Sequence, residues 1–115
     1  MDFKVDSKPA DWDSEMTIVR LCGSVDAQTA PAFEKEAMGL IEKGRRKLLI
    51  DCEKLDFISS AGIGVFMVLL SEVEGDGSLK AMNLSEEVYE SFDLLGVPEI
   101  MEIYKSEKEA RKASV

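Results

Sequence analysis

Hydrophobic residues recur along this chain in two rhythms that alternate from one end to the other. Apolar residues separated by single charged residues, as at Phe3 and Val5, have the period of a strand with one buried face. Consecutive apolar residues at 47–52 instead predict a central strand that is buried on both faces. The predicted strands are 3–5, 16–22, 47–52, 79–82 and 100–104, with a polar turn at 9–14.

Between these strands the apolar residues return every three or four positions, which is the period of a helix buried along one side. Thr29 is a candidate helix cap with Pro31 in the first turn, and Gly44 follows the last turn. Ser85, followed by two glutamates, marks the start of a later helix, and Gly96 marks its end. The predicted helices are 29–44, 61–74, 85–96 and a short charged helix that begins at Ser106.

The alternation of predicted strands and helices is typical of an α/β fold, in which helices cover a sheet. With 115 residues the chain has the length of one ordinary domain, and its sequence contains no internal repeat or linker. We therefore predict a single domain over 1–115, with a mixed β-sheet packed against α-helices.

The charge balance restricts the kinds of partner. Lysine and arginine total 14 against 23 aspartates and glutamates, a formal net charge of −9, and the acidic residues are spread along the chain. Such a surface repels nucleic acid backbones and anionic lipid headgroups. We predict no nucleic acid partner and no direct membrane binding, and a basic protein partner is favoured.

The chain contains no histidine, so it lacks the commonest general base near neutral pH and the commonest metal ligand. Serine–histidine and cysteine–histidine catalysis are excluded on this ground. We predict a protein that is not an enzyme, with no metal and no cofactor.

The cysteines and the N-terminus bear on where the protein resides. Cys22 and Cys52 lie in apolar runs, and we favour two buried small side chains, although sequence alone leaves a disulfide open. The first residues lack a secretion signal, and the longest apolar run, 61–70, is too short to span a bilayer. We expect a cytoplasmic protein with two free, slowly reacting thiols.

The stretch 56–65 contains two hydroxyl groups, Ser59 and Ser60, at a predicted strand-to-helix turn. A helix N-terminus has unpaired backbone N–H groups and the positive end of the helix dipole, so it accommodates a phosphate, whether bound or attached to a serine. Serine at this position is also an ordinary helix cap. Residue type alone favours the cap.

The sequence SSAGIG in this stretch resembles the start of the second helix in the anti-sigma-factor antagonists, a family of STAS domains. The family's signature there is aspartate, serine, serine or threonine, glycine, leucine, glycine. Ser59 stands in the place of the aspartate, Ser60 in that of the phosphorylated serine, and Ala61 in that of the second hydroxyl residue. Gly62 and Gly64 keep the family's pattern.

The resemblance covers nearly the whole chain, with further likeness at 23–31 and at 85–97. It implies a STAS-type fold and a cycle of partner switching that regulates transcription, as in stress responses or sporulation. The unmodified protein would bind an anti-sigma factor with serine kinase activity and so release a sigma factor. Phosphorylation of Ser60 would end that complex, and a metal-dependent serine phosphatase would restore it.

A partner needs a surface beside the serine. On a helical projection with about 100° per residue, most apolar residues of the second helix share one arc that can face the sheet, whereas Gly64, Met67 and Val68 fall outside it. Together with Ser60, and with Asp26 on a neighbouring loop, they form a predicted docking strip; scattered exposed apolar residues are the plain alternative. The predicted partner-binding residues are Asp26, Ser59, Ser60, Ala61, Gly62, Gly64, Met67 and Val68.

Three alternatives come from other classes of protein. A phosphoaspartate receiver would use Asp51 at the end of a central strand, but only Asp26 follows the earlier strand where such a domain needs an acidic pair for magnesium. We therefore regard Asp51 as a turn-side hydrogen-bond acceptor. A nucleotide site at Gly62 and Gly64 lacks a full glycine-rich motif and a following lysine. A STAS-type subunit of a membrane transporter remains open, although Asp26 and Ser60 favour the sigma-regulatory function.

Overall fold

The structure is a computed structural model that describes residues 3–113. Within this range five strands and four α-helices alternate for most of the chain. The strands are β1 (Lys4–Ala10), β2 (Asp13–Val25), β3 (Lys47–Ile58), β4 (Ser78–Met82) and β5 (Ile103–Tyr104). The helices are α1 (Ala30–Glu42), α2 (Ser60–Val73), α3 (Glu86–Leu94) and α4 (Glu107–Ala113), and a single 3₁₀ turn spans Val97–Glu99.

The five strands form one mixed sheet in the order β1-β2-β3-β4-β5. β1 is antiparallel to β2, and all other neighbours are parallel. The parallel strands are joined through α1, α2 and α3, as parallel pairing requires a crossover connection. The predicted α/β fold with a mixed sheet against helices is thus confirmed.

Both faces of the sheet are covered, because neighbouring residues of β3 point to opposite sides. Leu48 and Ile50 belong to the main core, which they share with α1, α2 and α3. Leu49, between them, belongs to a smaller cluster on the other face, which includes Ala110 of α4. As predicted, the apolar residues of β3 are continuous because this central strand is buried on both faces.

Three phenylalanines join the helices of the main core. The rings of Phe33 on α1 and Phe66 on α2 have centroids 5.2 Å apart, and Phe66 and Phe92 on α3 are 5.1 Å apart in an edge-on arrangement. Such pairs contribute about 0.5–1.5 kcal/mol beyond the area that they bury. α2 is consequently held between two helices as well as against the sheet.

The helix boundaries follow the predicted signals closely. α1 lies between Thr29 and Gly44, but the Thr29 hydroxyl donates to the Ser24 carbonyl and does not cap the helix as predicted. Gly44 has a φ of +93°, a conformation that glycine adopts without strain. The Ser85 hydroxyl accepts a hydrogen bond from the Val88 N–H at 3.2 Å, so Ser85 is the predicted cap of α3. At α4, Ser106 accepts from the Glu109 N–H at 3.2 Å, and the Glu109 carboxylate accepts from the backbone of the residue before Ser106.

Two strands are longer than the sequence predicts. The predicted strands end at Cys22 and Cys52, whereas β2 continues to Val25 and β3 continues to Ile58. The register between them shifts twice, between Arg20 and Cys22 and between Gly23 and Ser24. These bulges break the period of two, so the polar residues of the extension do not alternate as a regular strand does.

The outer strands also differ from the prediction. The predicted turn at 9–14 reduces to two residues, because β1 runs through Pro9 to Ala10 and β2 begins at Asp13. Pro9 fits there since β1 is an edge strand, where a missing N–H is tolerated. The predicted strand at 100–104 shortens to β5, because Pro98 lies in a 3₁₀ turn before it.

Candidate functional site

The two predicted site segments meet at the carboxyl ends of β2 and β3. Val25 and Ile58, the last residues of β2 and β3, are paired neighbours in the parallel register. The Ser59 N–H donates a 2.8 Å hydrogen bond to the Val25 carbonyl, which ties the turn after β3 to the end of β2. The loop that begins at Asp26 and the turn that contains Ser60 are therefore neighbours.

Ser59 is the N-cap of α2. Its backbone is extended, and its hydroxyl accepts from the Gly62 N–H at 3.5 Å, the long end of the hydrogen-bond range. Its carbonyl accepts from the Ile63 N–H at 3.0 Å, and the side chain is half-buried. In this chain the residue in the place of the family's aspartate thus caps the helix.

Ser60 is the first residue of α2 and is exposed to solvent. Its hydroxyl stands at the N-terminus of a 14-residue helix, where backbone N–H groups of the first turn and the helix dipole favour negative charge. The two adjacent serines therefore differ in environment, because Ser59 is turned into the cap whereas Ser60 is accessible.

Gly62 sets the distance between this helix start and the sheet. A Cβ at this position would lie 2.6 Å from Ile58 Cγ1 and 2.7 Å from Val25 Cγ1, closer than carbon atoms approach one another. The absence of a side chain allows α2 to begin directly on top of the paired strand ends. Gly62 is thus buried, whereas Ser60, in the same turn of the helix, is exposed.

Gly64 is different, because it is exposed and a Cβ built on it meets no atom within 4 Å. With Ala61 and the half-exposed Val68 it lines a shallow groove of about 740 Å³ between α1 and α2. The structure therefore brings Gly64 and Val68 together in one groove, which also contains Ala61, the residue that follows Ser60.

Met67 does not belong to that groove. The helical projection put it outside the buried arc, but it is half-buried and packs against the main core. The reason is that α2 has helices on both flanks, so a wider part of its circumference is covered than the sheet alone would cover. The expectation of an exposed Met67 is corrected accordingly.

The α1 side of the groove was not anticipated from the sequence. Ala27, Ala30, Pro31 and Met38 contribute its apolar lining, with Glu34 and Lys35 among them. Pro31 and Met38 gave a signal, since they are apolar residues of α1 outside its most buried positions. These residues face α2 because of how the two helices pack against each other. The spacing of apolar residues within one helix gives no information about that packing.

Asp26 organises the neighbouring loop. Its Oδ1 accepts from the backbone N–H groups of Gln28 at 2.9 Å and Thr29 at 3.1 Å, and its own N–H donates to the Thr29 hydroxyl at 2.9 Å. The hydrogen bonds from the Thr29 and Gln28 N–H groups hold the pKa of the Asp26 carboxyl below its usual value. Asp26 is thus a carboxylate at the start of α1, beside the turn of Ser60.

Asp51 lies elsewhere and is not on a turn. It is inside β3 and only 2% exposed, with its carboxylate accepting from Arg20 at 3.2 Å, from the Asn83 amide at 3.0 Å and from the Glu53 N–H at 3.1 Å. The predicted role as a hydrogen-bond acceptor is confirmed, and the predicted turn-side position is wrong. Asn83 has a φ of +64°, a conformation that asparagine tolerates better than most residues.

The described helices include none with the length and apolar character needed to cross a membrane. Both cysteines are free thiols; Cys52 is buried in the main core, and Cys22 is partly exposed. Burial, together with the neighbouring Asp51 charge, raises the pKa of the Cys52 thiol.

Comparisons with known proteins agree with this geometry. The STAS domain profile matches residues 8–110. The anti-sigma-B factor antagonist of Bacillus subtilis (strain 168) is 33% identical over 104 residues, which are 90% of this chain and 92% of that protein.

Solved structures share the fold at lower sequence identity. An anti-sigma factor antagonist from Mycobacterium paratuberculosis superposes with a TM-score of 0.83 at 19% identity, over 97% of this chain and 93% of that one. SpoIIAA, an anti-sigma factor antagonist in its unphosphorylated form, has a TM-score of 0.72 at 20% identity, over 98% and 97% of the two chains. Profile, relative and fold lead to one conclusion: the chain belongs to the STAS domain family, among the anti-sigma-factor antagonists.

Proposed function

We propose that this protein binds an anti-sigma factor with serine kinase activity, that the binding releases a sigma factor, and that phosphorylation of Ser60 ends it. A metal-dependent serine phosphatase would return the protein to its binding form. The protein acts in the cytoplasm by binding alone and catalyses no step of the cycle. The observation that carries the proposal is the exposed hydroxyl of Ser60 at the N-terminus of α2, beside an apolar groove.

The choice of Ser60 over Ser59 rests on accessibility. A kinase must surround the hydroxyl that it modifies, and the Ser59 hydroxyl is half-buried and directed at the Gly62 N–H. Phosphorylation of Ser59 would also remove the cap from the helix, which costs about 1 kcal/mol. Neither obstacle applies to Ser60.

The fold should tolerate the modification. A phosphate at Ser60 adds about 1.5 to 2 negative charges at neutral pH. The helix dipole offsets part of this, by about 0.3–1 kcal/mol for a charge exposed at a helix N-terminus. A docked partner, however, would have to desolvate the phosphate or move acidic groups close to it. Inactivation would therefore act on the interface, with the fold intact.

The partner surface proposed here consists of Ser60 and the groove beside it. The apolar side chains of Ala61 and Val68 offer a contact area, and Gly64 leaves room for the partner's backbone to approach. Asp26 supplies a carboxylate on the neighbouring loop, to which a basic residue of the partner could bind. Gly62 holds the helix start in place, and Ser59 caps it.

The proposal is tested by incubating the protein with its cognate anti-sigma kinase and ATP, followed by mass mapping of the phosphopeptide. We expect phosphate on Ser60 and none in Ser60→Ala. Phosphate on Ser59 would correct the site. No phosphate on either serine would remove the proposed switch and favour a STAS subunit of a transporter.

A further inference from the structure

A second apolar groove, separate from the α1–α2 groove, lies along the edge strand β5. Two adjoining cavities of about 540 and 500 Å³ share Tyr89, Ile103 and Tyr104 in their walls. We call them together the β5 groove. Its apolar lining consists of Leu84, Tyr89, Pro98, Ile100, Met101, Ile103 and Tyr104.

The groove is accessible to a partner. Ile100 is 59% exposed and Tyr89 is 42% exposed, although both are large apolar or aromatic side chains. Contiguous exposed apolar surface with a polar border is a feature of docking sites, whereas single exposed residues are not. Because Tyr89 lies in the wall of both cavities, the cavities form one groove with two lobes. Each lobe has room for an apolar side chain.

The border of the groove is acidic. Between 81 and 104 the chain has no lysine or arginine, and its acidic residues there are Glu86, Glu87, Glu90, Asp93, Glu99 and Glu102. Glu86, Glu99 and Glu102 line the cavities directly, together with one basic residue, Lys105, in the same cavity as Glu86. At about 100° per residue, Asp93 and Glu90 of α3 lie within about 100° of Tyr89 on its exposed side.

Most of these acidic groups are not neutralised by the protein itself. Glu102 pairs with Lys80 at 3.5 Å and accepts a hydrogen bond from the Tyr104 hydroxyl. Within residues 3–113 no salt bridge reaches Glu86, Glu90 or Asp93, and none reaches Glu99. Even with Lys80 and Lys105 nearby, acidic residues outnumber basic ones at the border. An acidic border around an apolar groove favours a basic ligand that also carries apolar side chains.

We propose that the β5 groove docks a basic segment of a partner protein, with two apolar side chains in its two lobes and lysine or arginine residues against the acidic border. A second copy of this chain would bring like charges together, because the same acidic border would face itself. An anionic membrane surface would be repelled for the same reason. The groove is separated from the Ser60 turn by β4, so this surface is additional to the one in the proposed function.

The experiment uses amide NMR on the full-length protein, with an amphipathic leucine–lysine peptide of about 14 residues as the probe. We expect saturable shifts centred on Tyr89, Ile100 and Ile103, with affinity that falls as NaCl rises from about 0.05 to 0.5 M. The same peptide with glutamate in place of lysine should not bind. Shifts centred on the α1–α2 groove, or an affinity independent of salt, would overturn the proposal.

Variants locate the contact. Ile100→Lys should weaken peptide binding about ten-fold, as loss of an apolar anchor does, and Glu99→Gln should weaken it by removing border charge. Phe57→Lys is the matched control, because Phe57 is 52% exposed and the charge change is the same. Equal weakening by all three would show a net-charge effect and contradict a defined groove. A protein dimer in sedimentation that Ile100→Lys dissociates would make a second copy the occupant instead.

Discussion

Arg20 and Asp51 face each other across the parallel strands β2 and β3, with Arg20 Nη2 3.2 Å from Asp51 Oδ2. The two side chains differ in exposure, since that of Asp51 is 3% exposed and that of Arg20 is 43% exposed. The carboxylate is thus buried in the sheet, and its charge is balanced from the surface. Asn83 and the Glu53 N–H satisfy its other oxygen, so the network is complete.

The pair predicts an asymmetric response to mutation. Arg20→Met should lower the free energy of unfolding by about 2 to 3 kcal/mol, because it leaves a buried carboxylate without a counter-charge. Lys47→Met is the control, since Lys47 pairs with Glu15 at the surface at 3.3 Å and its loss should cost less than about 1 kcal/mol. Urea unfolding measures both. Equal losses of unfolding free energy in the two variants would mean that Arg20 does not balance the buried charge of Asp51.

Two glycines of α2 should respond in opposite directions to alanine. Gly62→Ala forces a methyl group against Ile58 and Val25 and should cost about 2 kcal/mol of stability. Gly64→Ala meets open space and should gain up to about 1 kcal/mol, because alanine favours a helix over glycine. Thermal unfolding of the two variants checks this. A loss of stability in Gly64→Ala would contradict the open space found around this residue.

Two neighbouring residues of α2 should separate binding from folding. Val68→Asp should weaken anti-sigma binding by more than about 1 kcal/mol while stability stays within about 0.5 kcal/mol, since Val68 is 42% exposed in the groove. Met67→Asp should lower stability clearly, because Met67 packs against the core. Leu94→Asp, remote and 85% exposed, controls for the added charge. Undiminished binding by Val68→Asp would remove the groove from the interface.

The thiols should react at different rates. Cys22 is partly exposed, whereas Cys52 is buried and its pKa is raised by that burial, so almost none of it is thiolate at neutral pH. This refines the expectation of two slowly reacting thiols. In native protein a thiol reagent should label Cys22 first and Cys52 only on unfolding, as mass spectrometry can follow. Labelling of Cys52 in Cys22→Ser without denaturant would indicate local opening of β3.

Structure is predicted best from the sequence where an element depends only on residues within one short segment. The start of α3 follows from the Ser85 cap, and the end of α1 from Gly44, whose positive φ suits glycine. The serine turn was located in the same way, because strand, cap and helix are consecutive there. These elements need no information from the rest of the chain.

The errors arise where two distant segments determine the outcome. The end of β3 is a strand only because the bulged end of β2 pairs with it, and neither segment alternates by itself. Met67 is half-buried because helices lie on both sides of α2, which a projection of one helix omits. The α1 wall of the groove was missed for the same reason.

The last prediction concerns Ser60 itself. Ser60→Ala should bind the anti-sigma kinase as tightly as the unmodified protein, because the hydroxyl is exposed and supports no element of the fold. Ser60→Glu should fold normally, since a carboxylate at a helix N-terminus is favourable, and should bind at least about ten-fold more weakly. Calorimetric titration and thermal unfolding measure the two effects separately.

The matched control is Ser59→Ala, at the neighbouring hydroxyl. Loss of the Ser59 cap should lower stability by up to about 1 kcal/mol, while Ser60 remains available for phosphorylation. The two serines would then divide their roles, with Ser59 holding the helix start and Ser60 carrying the switch. If Ser60→Glu unfolded the protein or bound with full affinity, the charge at α2 would not act through the interface, and the switch would have to lie elsewhere.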